Sequence, residues 1–163
     1  MLRLTMSKFR YVRENAIFIL VLALMLLSPI ILRMLLNTSI PLAAVESSSM
    51  VPTLNIGDVV VIVGVKPEDI KPGDIIVFDK VVYSLKKGYV RKLRTPIVHR
   101  VVNVIIKNGV KYFRTKGDAN PLPDQWYVPE DAILGKVLCI NGEPFRIPYV
   151  GYFSILFHNI IGG

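Results

Sequence analysis

ESSSMVPTLNIGDVVVIV, residues 46–63, is the stretch at which the chain changes from helix-forming to strand-forming sequence. A long apolar segment comes before it, and short β-branched runs separated by turn residues come after it. Runs of this kind, rich in valine and isoleucine, are typical of strands. A cluster of three serines therefore lies just after the apolar segment and just ahead of the first strand.

The sequence after residue 57 predicts a body that is mostly β. Candidate strands lie at 58–65, 74–82, 97–106, 110–115 and 133–140. Gly-Asp pairs at 57–58, 73–74 and 117–118 supply turns between them, and Asn108-Gly109 lies between two strand-like runs. An Asn-Gly pair in that position is a strong hairpin signal. Only one clear helix, near the N-terminus, is predicted in the whole chain.

The segment before the serine cluster has the length and composition of a membrane span. Residues 16–32 run for seventeen residues without a charge, and residues 34–36 extend the run beyond Arg33, whose side chain can snorkel. About 21 residues at ~1.5 Å each can cross a ~30 Å hydrocarbon core. Pro29 lies inside this segment and is expected to kink or end the regular part of the helix.

The charges around the apolar segment predict its orientation. Four basic residues precede it, so the positive-inside bias places residues 1–15 in the cytoplasm as a basic tail. Residues 16–36 are then the anchor, 37–149 an extracytoplasmic β domain and 150–163 an apolar C-terminal tail. The protein is predicted to be a single-pass protein of the cell membrane. A cleavable secretory signal is the alternative, but the apolar region exceeds roughly 7–15 residues and the PLAA sequence at 41–44 offers a poor cleavage site.

The net charge and the single cysteine exclude other classes. The formal net charge is +8, and about half of it belongs to residues 1–39. A basic chain raises nucleic-acid binding as a hypothesis, but no zinc-ligand spacing, recognition-helix pattern or aromatic RNA-binding signature is present. Nucleic acid is therefore not predicted as a partner. Cys139 stands alone, which excludes an intrachain disulfide, and within the apolar run 133–140 it is predicted to be a small buried hydrophobe.

Two further segments have more than one interpretation. Residues 86–94 contain five basic residues in nine and are predicted to form either a solvated surface loop or a contact with anionic lipid head groups. Residues 150–161 are apolar but, at twelve residues, too short to span a membrane. They pack on the core, lie in the membrane interface, or begin a second span.

A serine in this chain would need a neighbouring base to act as a nucleophile. The chain has two histidines, and His158 belongs to the apolar tail. His99, in the β body, is therefore the candidate base. A structural histidine at the surface of a sheet is the alternative interpretation.

Four motifs, in this order along the chain, resemble the type I signal peptidases, in the branch found in archaea and the endoplasmic reticulum. They are Ser-Met-x-Pro-Thr at 49–53, Gly-Asp-Ile-Ile-Val-Phe at 73–78, His-Arg-Val at 99–101, and Thr-Lys-Gly-Asp-Ala-Asn at 115–120 followed by Asp124. The bacterial branch has a lysine where His99 stands. Ala119 departs from the asparagine that is usual in the fourth motif. The resemblance covers most of residues 15–150 and implies coiled antiparallel sheets with one N-terminal membrane helix.

The resemblance also implies an activity and the residues that carry it. The activity is that of a membrane-bound serine endopeptidase that removes signal peptides from secreted preproteins, cutting after a small residue at the outer membrane surface. Ser49 is then the nucleophile, His99 the base, Asp124 the triad acid and Asp118 a supporting carboxylate. The reverse assignment of the two aspartates stays open.

The same resemblance supplies the oxyanion donors and the partners. The donors are the main-chain N–H of Ser49 and the hydroxyl of Ser47. Ser48 stands where the family usually has glycine and would be strained if the position required a positive φ. No cofactor or metal is predicted, because no metal-ligand spacing or phosphate-binding loop occurs. The expected partners are preprotein signal peptides and the lipid bilayer, and association with the secretion channel or accessory subunits stays open.

Two alternative functions remain at this point. One is a peptidase with a Ser-Lys dyad that uses Lys92 or another lysine of the basic segment, as in the bacterial enzymes. The other is a membrane-tethered β domain without enzymatic activity, which binds lipid or a partner subunit through the basic segment. In that case Ser49 is only a turn residue.

Overall fold

The computed structural model describes the backbone of residues 2–85 and 89–161 and the side chains of residues 15–85 and 89–156. The chain forms two units, Met1–Leu35 and Leu36–Gly163. The first unit is helical, and the second consists mainly of antiparallel strands. The predicted fold class, mostly β with one N-terminal apolar helix, is confirmed.

The N-terminal unit consists of the helix α1 (Leu2–Leu36). Its residues Asn15–Leu36 are long and apolar enough to cross a membrane, and α1 is the one helix with that property in the described part of the chain. These 22 residues extend about 33 Å at ~1.5 Å per residue. The length matches the hydrocarbon thickness of a bilayer.

Pro29 lies inside α1 without ending it, since the helix continues to Leu36. A proline has no N–H, so it leaves the carbonyl four residues earlier, that of Met25, without its helical donor. The hydroxyl of Ser28 donates to that carbonyl at 2.8 Å. The side-chain hydrogen bond replaces the missing main-chain one, which explains how the helix continues beyond this residue.

In its described residues the C-terminal unit contains ten strands and a second helix. The strands are β1 (Leu42–Ala44), β2 (Val59–Val63), β3 (Ile75–Val82), β4 (Val90–Lys107), β5 (Val110–Lys116), β6 (Val128–Pro129), β7 (Ile133–Val137), β8 (Cys139–Ile140), β9 (Glu143–Pro144) and β10 (Arg146–Ile147). The main sheet has the order β1-β2-β7-β3-β4-β5-β6, with β10 paired to β2. The separate pair is β8 and β9, and all of these pairings are antiparallel.

The strand β4 is longer than the sequence predicts. It begins at Val90, within the segment expected to be a basic loop, and that expectation is wrong for residues 90–94. Residues 90–92 pair with residues 82–80 of β3. The free edge of β3 offers main-chain hydrogen bonds, and these stabilise a strand here although the polar composition favours a loop. Lys86 and Lys87 lie outside the described residues. At its other end β4 turns into β5 through Asn108-Gly109, where both residues have positive φ, as the hairpin signal predicts.

The predicted strand 133–140 is divided in the structure. β7 ends at Val137, and Cys139 begins the small hairpin of β8 and β9, which turns at Asn141-Gly142. Cys139 is exposed, so the prediction of a buried cysteine is wrong. The reason is that β8 leaves the main sheet and pairs only with β9, which leaves its side chains outside the core.

Two clusters of buried apolar side chains hold the strands together. The first contains Met50 and Leu54, and both are almost fully buried against β2, β3 and β7. The second contains Phe78 and Phe113 and joins β3, β4 and β5. A buried side chain of this size stabilises the fold by about 1.5–3 kcal/mol relative to an exposed one. The first cluster matters most for the site, because it fixes the residues on both sides of Val51-Pro52.

The apolar tail forms the helix α2 (Gly151–Ile161), so the prediction of a single helix is wrong. The N–H of Gly151 donates to the carbonyl of Gly57 at 2.9 Å, and α2 contacts β1. The eleven residues of α2 are too few to span a membrane, but such a segment forms a short helix when one side of it packs against a protein surface. Of the three placements considered, the structure shows packing against the β unit.

Candidate active site

Ser49 lies in a short 3₁₀ helix, Ser48–Met50, that precedes the turn into β2. Met50 anchors this helix in the first core cluster, and the carbonyl of Ser49 accepts a hydrogen bond from the N–H of Ala119 at 2.9 Å. Ser48 does not have a positive φ, so this position does not need a glycine and the conditional strain does not arise. The backbone of Ser49 is therefore held from two sides.

His99 lies on β4, where its backbone pairs with Ile76 of β3. The residue is only 5% exposed. Its Nε2 atom is 3.1 Å from the hydroxyl oxygen of Ser49. The predicted nucleophile and base are thus within hydrogen-bonding distance, although fifty residues separate them in the chain.

Asp124 completes a connected row of three side chains. Its Oδ2 atom is 2.7 Å from Nδ1 of His99 and also accepts a hydrogen bond from the hydroxyl of Thr115 at 2.7 Å. Asp124 is 7% exposed, and a buried carboxylate needs such partners to offset its desolvation. The main chain adds a further bond from the N–H of Asp124 to the carbonyl of Thr115 at 2.8 Å.

These contacts fix the tautomer of His99. An ionised carboxylate can only accept hydrogen bonds, so Nδ1 must carry the proton that faces Asp124. In the neutral ring Nε2 is then an acceptor, and the hydroxyl of Ser49, at 3.1 Å, can donate to it. This is the arrangement in which an imidazole can take a proton from serine.

Asp118 occupies a different position from Asp124. Its two carboxylate oxygens accept from Nε and Nη2 of Arg100 at 2.9 and 2.7 Å, and the hydroxyl of Thr53 donates to it at 2.6 Å. Burial alone would raise the pKa of Asp118, but the hydrogen bonds from Arg100 and Thr53, together with the charge of Arg100, outweigh burial and lower that pKa. The geometry therefore pairs Asp124, and not Asp118, with the imidazole ring.

Gly117 lies where the three segments of the site come closest. A Cβ atom added here would be 2.6 Å from the carbonyl oxygen of Ser49 and 3.0 Å from Nε2 of His99. Such contacts are shorter than van der Waals distance, and the first involves backbone that cannot turn away. Only glycine lets the loop before Asp124 approach the serine and histidine this closely.

A groove extends from Ser49 and His99. One side is β1, and the other is the part of β4 from Leu93 to Val98. Between the pairs Lys80–Lys92 and Phe78–Ile97, the four residues 93–96 of β4 stand opposite the single residue Asp79 of β3. This stretch therefore bulges out of the β3–β4 pairing and forms the wall of the groove.

The remaining predicted site residues are also placed. The hydroxyl oxygen of Ser47 is 3.1 Å from that of Ser49. Lys92, the base in the Ser-Lys alternative, is exposed on β4, where it pairs with Lys80 of β3. The hydroxyl of Ser49 contacts His99 and Ser47, so the geometry favours histidine over Lys92 as its base.

Sequence reasoning gave no role to Thr115, Arg100 or Thr53. Thr115 carried a usable signal, because strand alternation puts it on the same buried face as Phe113, where a polar side chain needs a partner. Arg100 and Thr53 both donate to Asp118, and Nη2 of Arg100 also donates to the hydroxyl of Thr53 at 3.5 Å. Nothing in the spacing of these residues indicates that contact.

A serine hydroxyl, an imidazole and a carboxylate connected in this order define the class of proteins with a serine-hydrolase triad. The comparison with known families is more specific. The family model described as signal peptidase, peptidase S26, matches residues 12–104, which is more than half of the chain. The chain belongs to this family.

The similar proteins come from archaea and eukaryotes. An uncharacterized protein of Methanocaldococcus jannaschii, MJ0260, is 40% identical over 78 residues, which are 47% of this chain and 38% of that protein. The human signal peptidase complex catalytic subunit SEC11C is 32% identical over 121 residues, which are 73% of this chain and 58% of the human protein. The SEC11 subunit of Scheffersomyces stipitis is 28% identical over 122 residues. The matched part of the chain thus covers 38% of the length of the M. jannaschii protein and 58% of the length of human SEC11C.

The ion pair between Arg100 and Asp118 leads to a prediction about stability. Replacing Asp118 with asparagine is expected to lower the free energy of unfolding by about 0.5–1 kcal/mol at neutral pH, because the pair is partly exposed and solvent screens it. The pKa of Asp118 is lower in the folded state than in the unfolded one, so the pair stabilises the fold above about pH 4. That stabilisation disappears as the pH falls through the lowered pKa.

The measurement is the thermal or urea unfolding of the full chain in detergent at several pH values, for the wild type and Asp118→Asn. The difference between the two should be largest near neutral pH and vanish in acid. A difference that grows on acidification would contradict the assignment of the pair.

Proposed function

We propose that this chain is a membrane-anchored serine endopeptidase that removes N-terminal signal peptides from secreted preproteins. It cuts after a small residue at the outer surface of the membrane. The observation that carries the proposal is the connected row Ser49, His99 and Asp124 at one end of a groove, in a chain of the signal peptidase family.

The contacts support a two-step acyl transfer. The oxygen of Ser49 attacks the scissile carbonyl while Nε2 of His99 takes the hydroxyl proton. His99 then gives that proton to the leaving amine, the C–N bond breaks, and an ester to Ser49 remains. Water hydrolyses the ester by the same proton transfers in reverse roles. Asp124 keeps Nδ1 protonated and stabilises the imidazolium that forms in each step.

The negative oxygen of the tetrahedral intermediate needs donors on the same side as Ser49. We assign this role to the main-chain N–H of Ser49 and the hydroxyl of Ser47. When the proton of Ser49 points to His99, the hydroxyl of Ser47 can only be the donor in its 3.1 Å contact with Ser49. The hydroxyl of Ser47, which donates to the oxygen of Ser49 before the attack, can then rotate and donate to the carbonyl oxygen of a substrate bound beside Ser49.

The groove fits an extended peptide. Among the described residues, β1 pairs with β2 along one edge only, and its residues Leu42–Ala44 line the groove along with residues 93–98 of β4. In the described structure β5 joins β4 only from Arg100 onward, so the bulged part of β4 also has main-chain groups without a strand partner. Unpaired strand edges bind extended peptides through main-chain hydrogen bonds. The preference for a small residue at the cut is carried over from the family.

We assign α1 as the membrane anchor, with residues 1–15 in the cytoplasm and residues 37–149 outside. The charges before the apolar segment support this orientation. Ser49 follows the end of α1 by only thirteen residues, so the chain itself keeps the catalytic serine near the end of the anchor. A substrate held in the bilayer by its signal peptide is then within reach, and the lipid bilayer and preproteins are the partners we propose.

The experiment that tests the proposed function is cleavage of a model preprotein by the full chain in liposomes, with the product identified by mass spectrometry. We expect one cut, after a small residue at the end of the signal peptide. The matched controls are the chain with Ser49→Ala and a preprotein in which that small residue is replaced by phenylalanine. Intact preprotein with the wild-type chain, or cuts scattered along its sequence, would contradict the proposal.

The assignment of the two aspartates leads to a separate prediction. Replacing Asp124 with asparagine is expected to lower kcat by about 10⁴, because the amide no longer stabilises the imidazolium and permits the wrong tautomer of His99. Asp118→Asn is expected to lower kcat by no more than about tenfold, since Asp118 has no hydrogen bond to the ring. Single-turnover cleavage assays of the two variants make the comparison. A larger loss from Asp118→Asn would reverse the assignment.

A further inference from the structure

The helix α2 is fixed to the turn that follows the catalytic serine. Nη1 of Arg146 donates to the buried carboxylate of Asp58 at 2.6 Å, and five residues later the N–H of Gly151 donates to the carbonyl of Gly57 at 2.9 Å. The ring of Tyr152 lies against Gly57 so closely that a Cβ atom there would overlap it. Gly57 also has φ +86°, so its glycine is required both by the turn and by the contact with α2.

This attachment brings α2 to the groove. The helix contacts β1, and Ser154 lines the same groove as Ser49 and His99. The preceding residue, Phe153, is 74% exposed and does not line the groove. Successive residues on a helix point about 100° apart, so one position faces the groove while its neighbour faces away.

Ser154 adds a small polar side chain to a groove that is mostly apolar. Most of the lining side chains are apolar, among them Leu42, Val77, Leu93 and Ile97. A serine at this place is smaller than any of these four side chains. An extended peptide that pairs with β1 directs every second side chain to one side of the groove. A substrate side chain on the α2 side would meet the helix at Ser154.

We propose that α2 is the outer wall of the groove and that Ser154 is a specificity-determining residue, which sets the largest side chain that the substrate can carry opposite the helix. The inference rests on the proposed function for the identity of the occupant, an extended peptide segment next to the scissile bond. The catalytic steps do not involve Ser154. Its effect is on binding and on the choice of substrate.

The test measures binding of a peptide to a chain that cannot turn it over. The probe is a fluorescein-labelled synthetic peptide that spans the cleavage site of the model preprotein, with alanine or leucine at successive positions before the cut. Binding is followed by fluorescence anisotropy on the full chain in detergent, in the Ser49→Ala background. The variants are Ser154→Trp and, as the matched control, Phe153→Trp, which places the same tryptophan side chain on the same helix outside the groove.

Ser154→Trp is expected to raise Kd by about tenfold or more, because an overfilled contact must displace the peptide or the helix. The loss should be greater for the leucine peptide than for the alanine peptide at the positions that face α2. Phe153→Trp should leave Kd within about twofold of the parent, as is usual for exposed substitutions. Both variants must show the same unfolding temperature as the parent.

Two results would overturn the proposal. One is a Kd for Ser154→Trp equal to that of the parent with every peptide. The other is an equal loss in both tryptophan variants, since the effect would then come from the helix as a whole. If the wild-type chain fails to cut the preprotein but Ser154→Trp still weakens peptide binding, the proposed function is wrong. The inference that α2 forms the outer wall of a peptide-binding groove would still hold.

Discussion

Replacement of Ser49 with alanine is expected to lower kcat for preprotein cleavage by about a millionfold. The substitution removes the attacking oxygen and leaves nothing else that can form the acyl intermediate. The side chain of Ser49 is only partly buried, so the loss of one hydroxyl should change the free energy of unfolding by less than about 1 kcal/mol. Binding of a peptide to the groove should persist.

The matched control for this variant is Ser48→Ala. Ser48 is the adjacent residue of the same 3₁₀ helix, and its side chain is exposed. The Ser48→Ala variant should cleave the preprotein at a rate close to that of the wild type. Cleavage by Ser49→Ala at the wild-type rate would remove Ser49 from the mechanism. It would favour the tethered β domain that binds lipid or a partner subunit, with the observed cleavage due to a contaminant.

Replacement of His99 with alanine is expected to lower kcat by a similar factor, about a millionfold, because serine and histidine act as one unit. The hydroxyl of Ser49 would lose its acceptor at 3.1 Å, and the leaving amine would lose its proton donor. The carboxylate of Asp124 would keep only Thr115 as a side-chain donor, so some loss of stability is expected as well. Single-turnover rates must therefore be measured on samples that are shown to be folded.

The rival base can be tested in the same assay. Lys92→Ala should leave the rate of cleavage near that of the wild type, because Lys92 is exposed on β4 and has no contact with Ser49 in the described structure. Full activity in His99→Ala, together with inactivity in Lys92→Ala, would establish a Ser-Lys dyad. The double variant Ser49→Ala/His99→Ala should be no slower than either single variant if the two residues act together.

The part of the site that could be predicted from sequence is the part carried by ordered motifs. Ser49, His99 and Asp124 each stand in a short segment with its own pattern, and the three segments occur in the family's order. Strand patterns predicted β2, β3 and β5 well, because alternating or continuous valine and isoleucine leave little choice. The pairing of β4 with β5 followed from the turn at Asn108-Gly109, whereas the insertion of β7 between β2 and β3 is not marked by any turn.

Other features depend on contacts between distant residues. Residues 90–94 look like a charged loop, but residues 90–92 pair with the edge of β3 and so continue β4 in this direction. The helix α2 forms where Gly57 leaves space for Tyr152, almost a hundred residues away in the sequence. Which aspartate contacts His99 likewise depends on distant residues. Arg100 binds Asp118, whereas Thr115 donates to Asp124 and holds it beside the ring. Local composition carries no information about such partners.

Under the proposed function, the distribution of Ser49, His99 and Asp124 along the chain also determines when activity can first appear during synthesis. Ser49 comes from the 3₁₀ helix after β1, His99 from β4 and Asp124 from the loop after β5, and Gly117 brings these three segments into contact. A growing chain that ends before Asp124 holds the serine and the histidine but not the residue that orients the ring. Under the proposed function, such a nascent chain cannot cut its own apolar segment while that segment enters the membrane. Under the same proposal, cleavage of preproteins can begin only after the chain's own apolar segment has been synthesised.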